Sequence, residues 1–241
     1  VVNPPSAEQE DQRQLHRDRM ALKRECTHHI NRIKGLLASQ GVKMAIKTDF
    51  LTQLERVRLW DGSRLGSGIR DRLEREYQRY QLVQAQIRQI DQIRREAIRS
   101  VDTPALAQVR QLLRLKGIGI NSAWVYVMEF FAWRNFRNRR ELGALAGLAP
   151  TPYQSGDGSR EQGISKAGNR PVRAMAIEIA WAWVRHQPDS ALSRWYQKRF
   201  GHGNSRIRRI GIVALARKLL IALWRYLEWG VLPEGALLKE I

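Results

Sequence analysis

An all-α fold is what this sequence predicts, on three observations. Apolar residues recur in steps of three and four through two long stretches. Apart from Gly35, proline and glycine fall between helical stretches and not within the two longest. No run alternates apolar and polar residues as a half-buried strand does. Ser6-Ala7-Glu8-Gln9 is a capping box following Pro4-Pro5 and opens a helix to about residue 40, with Leu15, Leu22, Cys26, Ile30, Ile33 and Leu37 on one face. Thr48-Asp49 starts a shorter helix to about residue 60, and 61–68 is a turn cluster. A second long helix follows over 69–99, with Leu73, Tyr77, Tyr80, Ile87, Ile90 and Ile93 in 3/4 steps. Two such helices joined by a compact connector predict a long antiparallel coiled-coil-like arm.

Asp102-Thr103-Pro104, a cap with proline at the first helical position, marks a new start. The chain therefore divides into an arm, 1–101, and a compact helical domain, 102–241. In that domain the pattern predicts helices over 106–115, 121–133, 139–148, 170–186, from Pro188 to about 200, and 206–229. The dense prolines and glycines of 150–169 exclude a helix and predict an exposed loop without strand.

The 241 residues carry 42 Lys and Arg against 23 Asp and Glu, a formal net charge of +19, so polyanions are the expected partners and nucleic acid the first among them. Ribosomal and membrane-surface proteins share this balance. The charge concentrates between Arg134 and Lys218, which hold 17 basic and 5 acidic residues. One cysteine, Cys26, leaves no internal disulfide or cysteine-based metal site and fits a reducing compartment. The longest apolar runs, 171–184 and 210–224, contain charged residues and are too short for a bilayer, so no membrane association is expected.

The segment from Pro150 through Gln154-Ser155-Gly156 to Arg160, followed by Lys166, Asn169, Arg170 and Arg173, places a hydroxyl beside flexible glycines and then a run of cations. Guanidinium and ammonium groups hold a phosphate and offset the charge that develops during its transfer, and Arg170 and Arg173 would open a helix, where the dipole also favours anions. Ser155 reads either as a nucleophile toward a phosphodiester or as an ordinary turn residue. Lys116-Gly117-Ile118-Gly119 resembles a helix-hairpin-helix turn whose amides could meet a phosphate; a plain connector is the alternative. Arg206, Arg208 and Arg209 open the last helix and read as backbone contacts to nucleic acid or as a solvated face. Nine scattered carboxylates from residue 103 onward lack the pairing of a two-metal nuclease centre. A serine hydrolase is disfavoured, because no nucleophile-elbow spacing or histidine partner accompanies Ser155.

With these residues laid out, 112–229 resembles the C-terminal domain of transposases of the insertion-sequence 110/1111 family. The resemblance rests on Gly117-Ile118-Gly119, Arg140-Glu141-Leu142-Gly143-Ala144-Leu145-Ala146-Gly147-Leu148-Ala149-Pro150, Gln154-Ser155-Gly156, Gly163-Ile164-Ser165-Lys166-Ala167-Gly168-Asn169-Arg170 and Ala216-Arg217-Lys218-Leu219-Leu220, in that order. The arm, with Asn31-Arg32-Ile33-Lys34-Gly35-Leu36-Leu37, resembles the family's middle region. The resemblance implies that Ser155 is a DNA nucleophile and forms a covalent serine–DNA bond. It implies a structured guide RNA, assembly of several subunits through the arm, and a cytoplasmic, nucleoid-associated bacterial protein. It also implies a RuvC-like domain ahead of the arm with a four-carboxylate magnesium site. Residues 1–5 look like the end of that domain, so the expectation is a C-terminal portion with no cofactor of its own, inactive alone. The alternative is a non-catalytic helical nucleic-acid-binding module.

Overall fold

The structure, a computed structural model, describes residues 4–155 and 158–239, with the backbone alone across 152–162. The chain forms two compact units, one of Gln14–Glu96 and one of Ala97–Ile241 together with Val1–Arg13. All the long elements are helices, as the sequence predicts.

The first unit is built on α2 (Gln14–Ala38) and the greater part of α4 (Ser67–Ser100), with the short α3 (Phe50–Arg56) between them. Arg19 faces Asp91, Cys26 faces Gln84 and Arg32 faces Glu76, so partner numbers fall as chain numbers rise and the two helices run antiparallel. Their apolar stripes meet in two clusters. Leu22, Cys26, Val83, Ile87 and Ile90 form one; Ile33, Leu37, Leu73 and Tyr77, with Phe50 and Leu54 of α3, form the other. Tyr77 donates its hydroxyl to the Lys47 carbonyl at 2.8 Å and stacks near Phe50, which ties the connector to the helix pair. Cys26 is buried and its Sγ accepts from Gln84 Nε2 at 2.9 Å.

Ion pairs close the same interface. Asp91 accepts from Arg19 Nε and Nη2 at 2.6 and 3.1 Å, with the fully buried Arg94 guanidinium 3.6 Å away. Burial and the Arg19 charge together bring Arg94 down to about 10, against the pull of Asp91. Glu76 is buried and its carboxylate meets His29 Nδ1 at 2.8 Å, Arg32 Nη1 at 3.0 Å and Arg79 Nη1 at 2.8 Å. Burial pushes the Glu76 carboxyl up. The hydrogen bonds from His29 and Arg32 and the charges of Arg32 and Arg79 outweigh it, so the net direction is down.

The second unit begins with α1 (Ala7–Gln12), whose Ser6–Gln9 capping box is present as the sequence predicts. The predicted single helix to about residue 40 is instead interrupted at Arg13, whose amide turns back to the Glu10 carbonyl. The reason is tertiary: the Arg13 side chain is buried and reaches a partner far along the chain. Then follow α5 (Pro104–Leu113), α6 (Ile120–Tyr126) and α7 (Arg139–Leu145), and after them α8 (Arg170–His186), α9 (Ala191–Tyr196) and α10 (Ser205–Trp229). α8 packs along α10, and α5 and α6 cover them, around Leu112, Trp183, Leu219, Leu220 and Leu223. Where 121–133 reads as one α-helix, the chain changes at Val127 to a wider π-helical turn, Val127–Phe131; a second such turn, Gln197–Gly201, extends α9.

A further sequence expectation is overturned. The predicted strandless loop after residue 150 is an antiparallel hairpin, β1 (Pro150–Ser155) with β2 (Gly158–Ile164), paired Tyr153 to Arg160, Gln154 to Ser159 and Ser155 to Gly158. Proline and glycine do exclude a helix here. In a two-stranded ribbon, however, every strand is an edge, where a proline lacking its N–H is tolerated. No helix of the described residues is long and apolar enough to cross a membrane.

Because the Glu76 carboxyl is shifted down, its stabilising contribution is full above the ordinary glutamate range and is lost as pH falls through its lower folded value. Glu76→Gln should therefore lower stability by about 2 kcal/mol at pH 7, since Arg32 and Arg79 are half-exposed and can regain water. The difference from wild type should shrink in urea unfolding curves as pH falls through and below the ordinary glutamate range; a difference that stays constant with pH would exclude the network as its source.

Candidate nucleic-acid interface

Of the residues singled out around 155–173, Lys166, Asn169, Arg170 and Arg173 stand at or next to the N-terminus of α8. Asn169 caps the helix, its Oδ1 accepting from the Val172 amide at 2.9 Å, and Pro171 stands in the first turn. Arg170 and Lys166 are exposed, and Arg173 is partly buried. The positive end of the helix dipole points out where these cations stand, so the helix end and the side chains attract the same charge.

The base of the hairpin is held against the end of α7. Ser165 N donates to Ala149 O at 2.8 Å, Lys166 N to Gly147 O at 3.2 Å and Asn169 N to Leu145 O at 2.9 Å. Gly147 and Gly168 allow this approach. Both have positive φ, and a Cβ on either would collide with a carbonyl oxygen of the opposite segment, Ala167 O and Leu145 O respectively. Arg173 Nη1 lies beside Gly147, buried and without a hydrogen-bond partner among the described residues. Between the two glycines, Lys166 takes φ +56°, the one positive value among described non-glycine residues. Left-handed backbone costs a lysine roughly 1–2 kcal/mol.

Behind the cap sits a buried carboxylate that sequence reasoning missed. Glu129, on the π-helical turn, accepts from Asn169 Nδ2 at 3.2 Å and from Arg13 Nη2 at 2.8 Å. Arg13 and Arg134 also lie over the Trp133 ring, at 4.9 and 4.1 Å from its centroid. Burial, and then the Arg13 charge, lower the Arg134 guanidinium, while Glu129 raises it. A lone acidic residue in an apolar helix, as Glu129 reads in sequence, signals this network only through its scarcity.

The remaining predicted residues lie elsewhere. Ser155 ends β1 and Arg160 lies in β2; the side chains of both lie outside the described residues, as do Gly156 and Asp157. The Lys116–Gly119 turn packs against Ala182 and His186 at the other end of α8, about 18 Å along the helix from Arg170. Three of its four amides are engaged: Lys116 N donates to Leu237 O, Ile118 N to Leu115 O and Gly119 N to Ser122 Oγ. Gln187 Nε2 and Lys239 Nζ take the carbonyls of Lys116 and Ile118. The structure thus separates Lys116, Gly117 and Gly119 from the α8 cluster. Arg206, Arg208 and Arg209 are exposed on the first turns of α10, capped by Asn204 and packed beside Tyr196. Among the described residues no three His, Cys, Asp or Glu side chains gather to hold a metal.

A cation-bearing helix terminus braced to a hairpin on a helical core defines a helical protein with a basic helix end. Comparison with known proteins places it more narrowly. The profile of the transposase IS116/IS110/IS902 family matches residues 109–197, which include the turn, the hairpin and all of α8. A transposase of Sinorhizobium fredii designated y4rJ is 44% identical over 99% of this chain and 63% of its own length. A family 20 transposase of Pseudomonas aeruginosa is 30% identical over 92% of this chain and 65% of its own. The transposase for insertion sequence element IS1328 of Yersinia enterocolitica is 26% identical over 99% and 68%. The chain belongs to the insertion-sequence 110 family of transposases, and it spans just under two thirds of the first two relatives.

Two predictions follow from the hairpin base. Gly168→Ala and Gly147→Ala should each destabilise by about 3 kcal/mol, combining left-handed strain with overpacking, as read by thermal unfolding. Lys166→Gly should act in the opposite sense on stability, raising it by roughly 0.5–1 kcal/mol, while weakening DNA binding in the same preparation. Parallel loss of both would show that the lysine serves the fold alone.

Proposed function

We propose that the protein acts in DNA transposition, with the hairpin and the α8 N-terminus forming the surface that handles the phosphodiester and Ser155 supplying the nucleophile. The observation that carries this reading is the convergence of Lys166, Arg170 and Arg173 on a capped helix end joined directly to the Ser155 hairpin. Relatives named as transposases, aligned over nearly the whole chain, support the same reading. In the reaction, Ser155 Oγ bonds to phosphorus as the bond to one deoxyribose oxygen breaks. The proton given up by the serine is balanced by the one taken up at the leaving oxygen. Attack by a deoxyribose hydroxyl of the second DNA then reverses the step and frees the serine. The cations hold the phosphate and stabilise its five-coordinate state.

The reading includes a structured guide RNA and association of several copies through the helix-pair unit. It assigns magnesium-dependent chemistry to the part of the full-length protein that this chain does not span. The 241 residues in hand would supply DNA binding and the serine.

The test uses full-length protein, its guide RNA and nicked suicide DNA. A denaturation-resistant protein–DNA adduct should form and map to Ser155, and Ser155→Ala should abolish it; an adduct that persists in that variant overturns the assignment. The 241-residue chain should bind duplex DNA with steep salt dependence, and removing Arg170 and Arg173 should reduce the slope of log K against log salt by about 2. Binding without any adduct from the full-length protein would leave a non-catalytic module.

A further inference from the structure

Trp60 is 94% exposed, the largest apolar side chain left to solvent in the helix-pair unit. It is not on a loose loop. Leu59 N donates to Ser63 O at 2.8 Å, Gly62 N to Leu59 O at 3.0 Å, and Asp61 Oδ1 accepts from both the amide and the hydroxyl of Ser63 at 3.0 and 2.6 Å. An antiparallel bridge joins Arg58 to Arg64 on either side. Below the turn, Leu59 and Leu65 pack into the core with Phe50 and Leu73. The fold thus spends a buried base and a closed hydrogen-bond ring on presenting one indole to water.

The charges beside it are equally specific. Arg58 and Arg64 face each other across the bridge, both exposed, and neither makes an ion pair among the described residues. Like charges directly opposite are destabilising, so this arrangement is one that a bound anion would relieve. The local carboxylate, Asp61, is engaged within the turn by Ser63, whose hydrogen bonds hold it below the ordinary range. A protein-binding face of this size would need a contiguous apolar patch with the tryptophan at its centre. Here the flanking exposed positions are Arg58, Asp61, Gly62, Ser63 and Arg64.

We propose that this turn is a second nucleic-acid contact, in which Trp60 stacks on an unpaired base and Arg58 and Arg64 hold the adjoining phosphates. One aromatic face with two guanidinium groups fits a single strand, because every base has a π-face and stacking needs no wider apolar surface. A duplex, whose bases are already stacked on one another, offers the indole nothing comparable. The proposal is independent of the Ser155 chemistry, which belongs to the other unit.

The probe is a 5-bromouracil-substituted single-stranded oligonucleotide of about 15 residues. On irradiation with the full 241-residue chain it should crosslink at Trp60, located by mass spectrometry of the digest, and a duplex of the same sequence should not. In titrations, Trp60→Ala should weaken single-strand binding roughly tenfold and leave duplex affinity unchanged, while Trp60→Phe retains most of it. Because Trp60 is exposed, both variants should melt as wild type does. Equal loss for single strand and duplex, no loss for either, or loss of self-association in the absence of nucleic acid would each overturn the proposal. The last would identify the turn as a contact between copies.

Discussion

The buried carboxylate of Glu129 is the interaction on which the larger unit depends. It sits on the π-helical turn after α6 and joins Arg13, from before α2, to Asn169, the cap of α8. These three groups are separated by 116 and 40 positions in the chain. A carboxylate taken out of water without partners would be severely unfavourable, so wherever Glu129 goes, a cation and a donor must follow. Asn169 answers with its amide nitrogen while its oxygen caps the helix, so a single side chain couples the buried charge to the helix end that faces solvent. The wider π turn places all five of its residues, Glu129 among them, in the buried interior.

From that anchor outward, the hairpin base follows by exclusion of volume. Gly147 and Gly168 let the end of α7 and the start of α8 approach until backbone oxygens touch the space a methyl group would need. Three backbone hydrogen bonds then fix the ribbon that carries Ser155 relative to Lys166 and Arg170. The strain held at Lys166 is consistent with this: a lysine in left-handed backbone persists only where its surroundings over-determine it. Position is thus passed from a buried ion pair, through a cap, to a charged surface.

The basic residues do not form one face. Those at the α8 N-terminus are gathered, those on α10 stand on their own exposed turn, and the Lys116 turn lies at the far end of α8 with three of its amides bonded to Leu237, Leu115 and Ser122. The other unit has a separate logic, an antiparallel helix pair whose interface is sealed by Asp91 and Glu76 among arginines and a histidine. Each unit therefore sets a buried carboxylate, Glu76 or Glu129, among arginines.

Helical periodicity, caps at Ser6, Thr103 and Asn169, and the two amphipathic stripes were legible in the sequence, because they are set by neighbours three and four residues away. The family likeness was legible for a similar reason, resting on short contiguous motifs. Four features were decided only by the tertiary structure. The break at Arg13 and the π turn at Glu129 arise from a partner more than a hundred residues distant, which no local pattern encodes. The hairpin was hidden because proline and glycine speak clearly against helix but do not distinguish a loop from an edge-paired ribbon. Which cations share a surface was set by packing of α8 against its neighbours, since charge count has no direction until helices fix where each side chain stands.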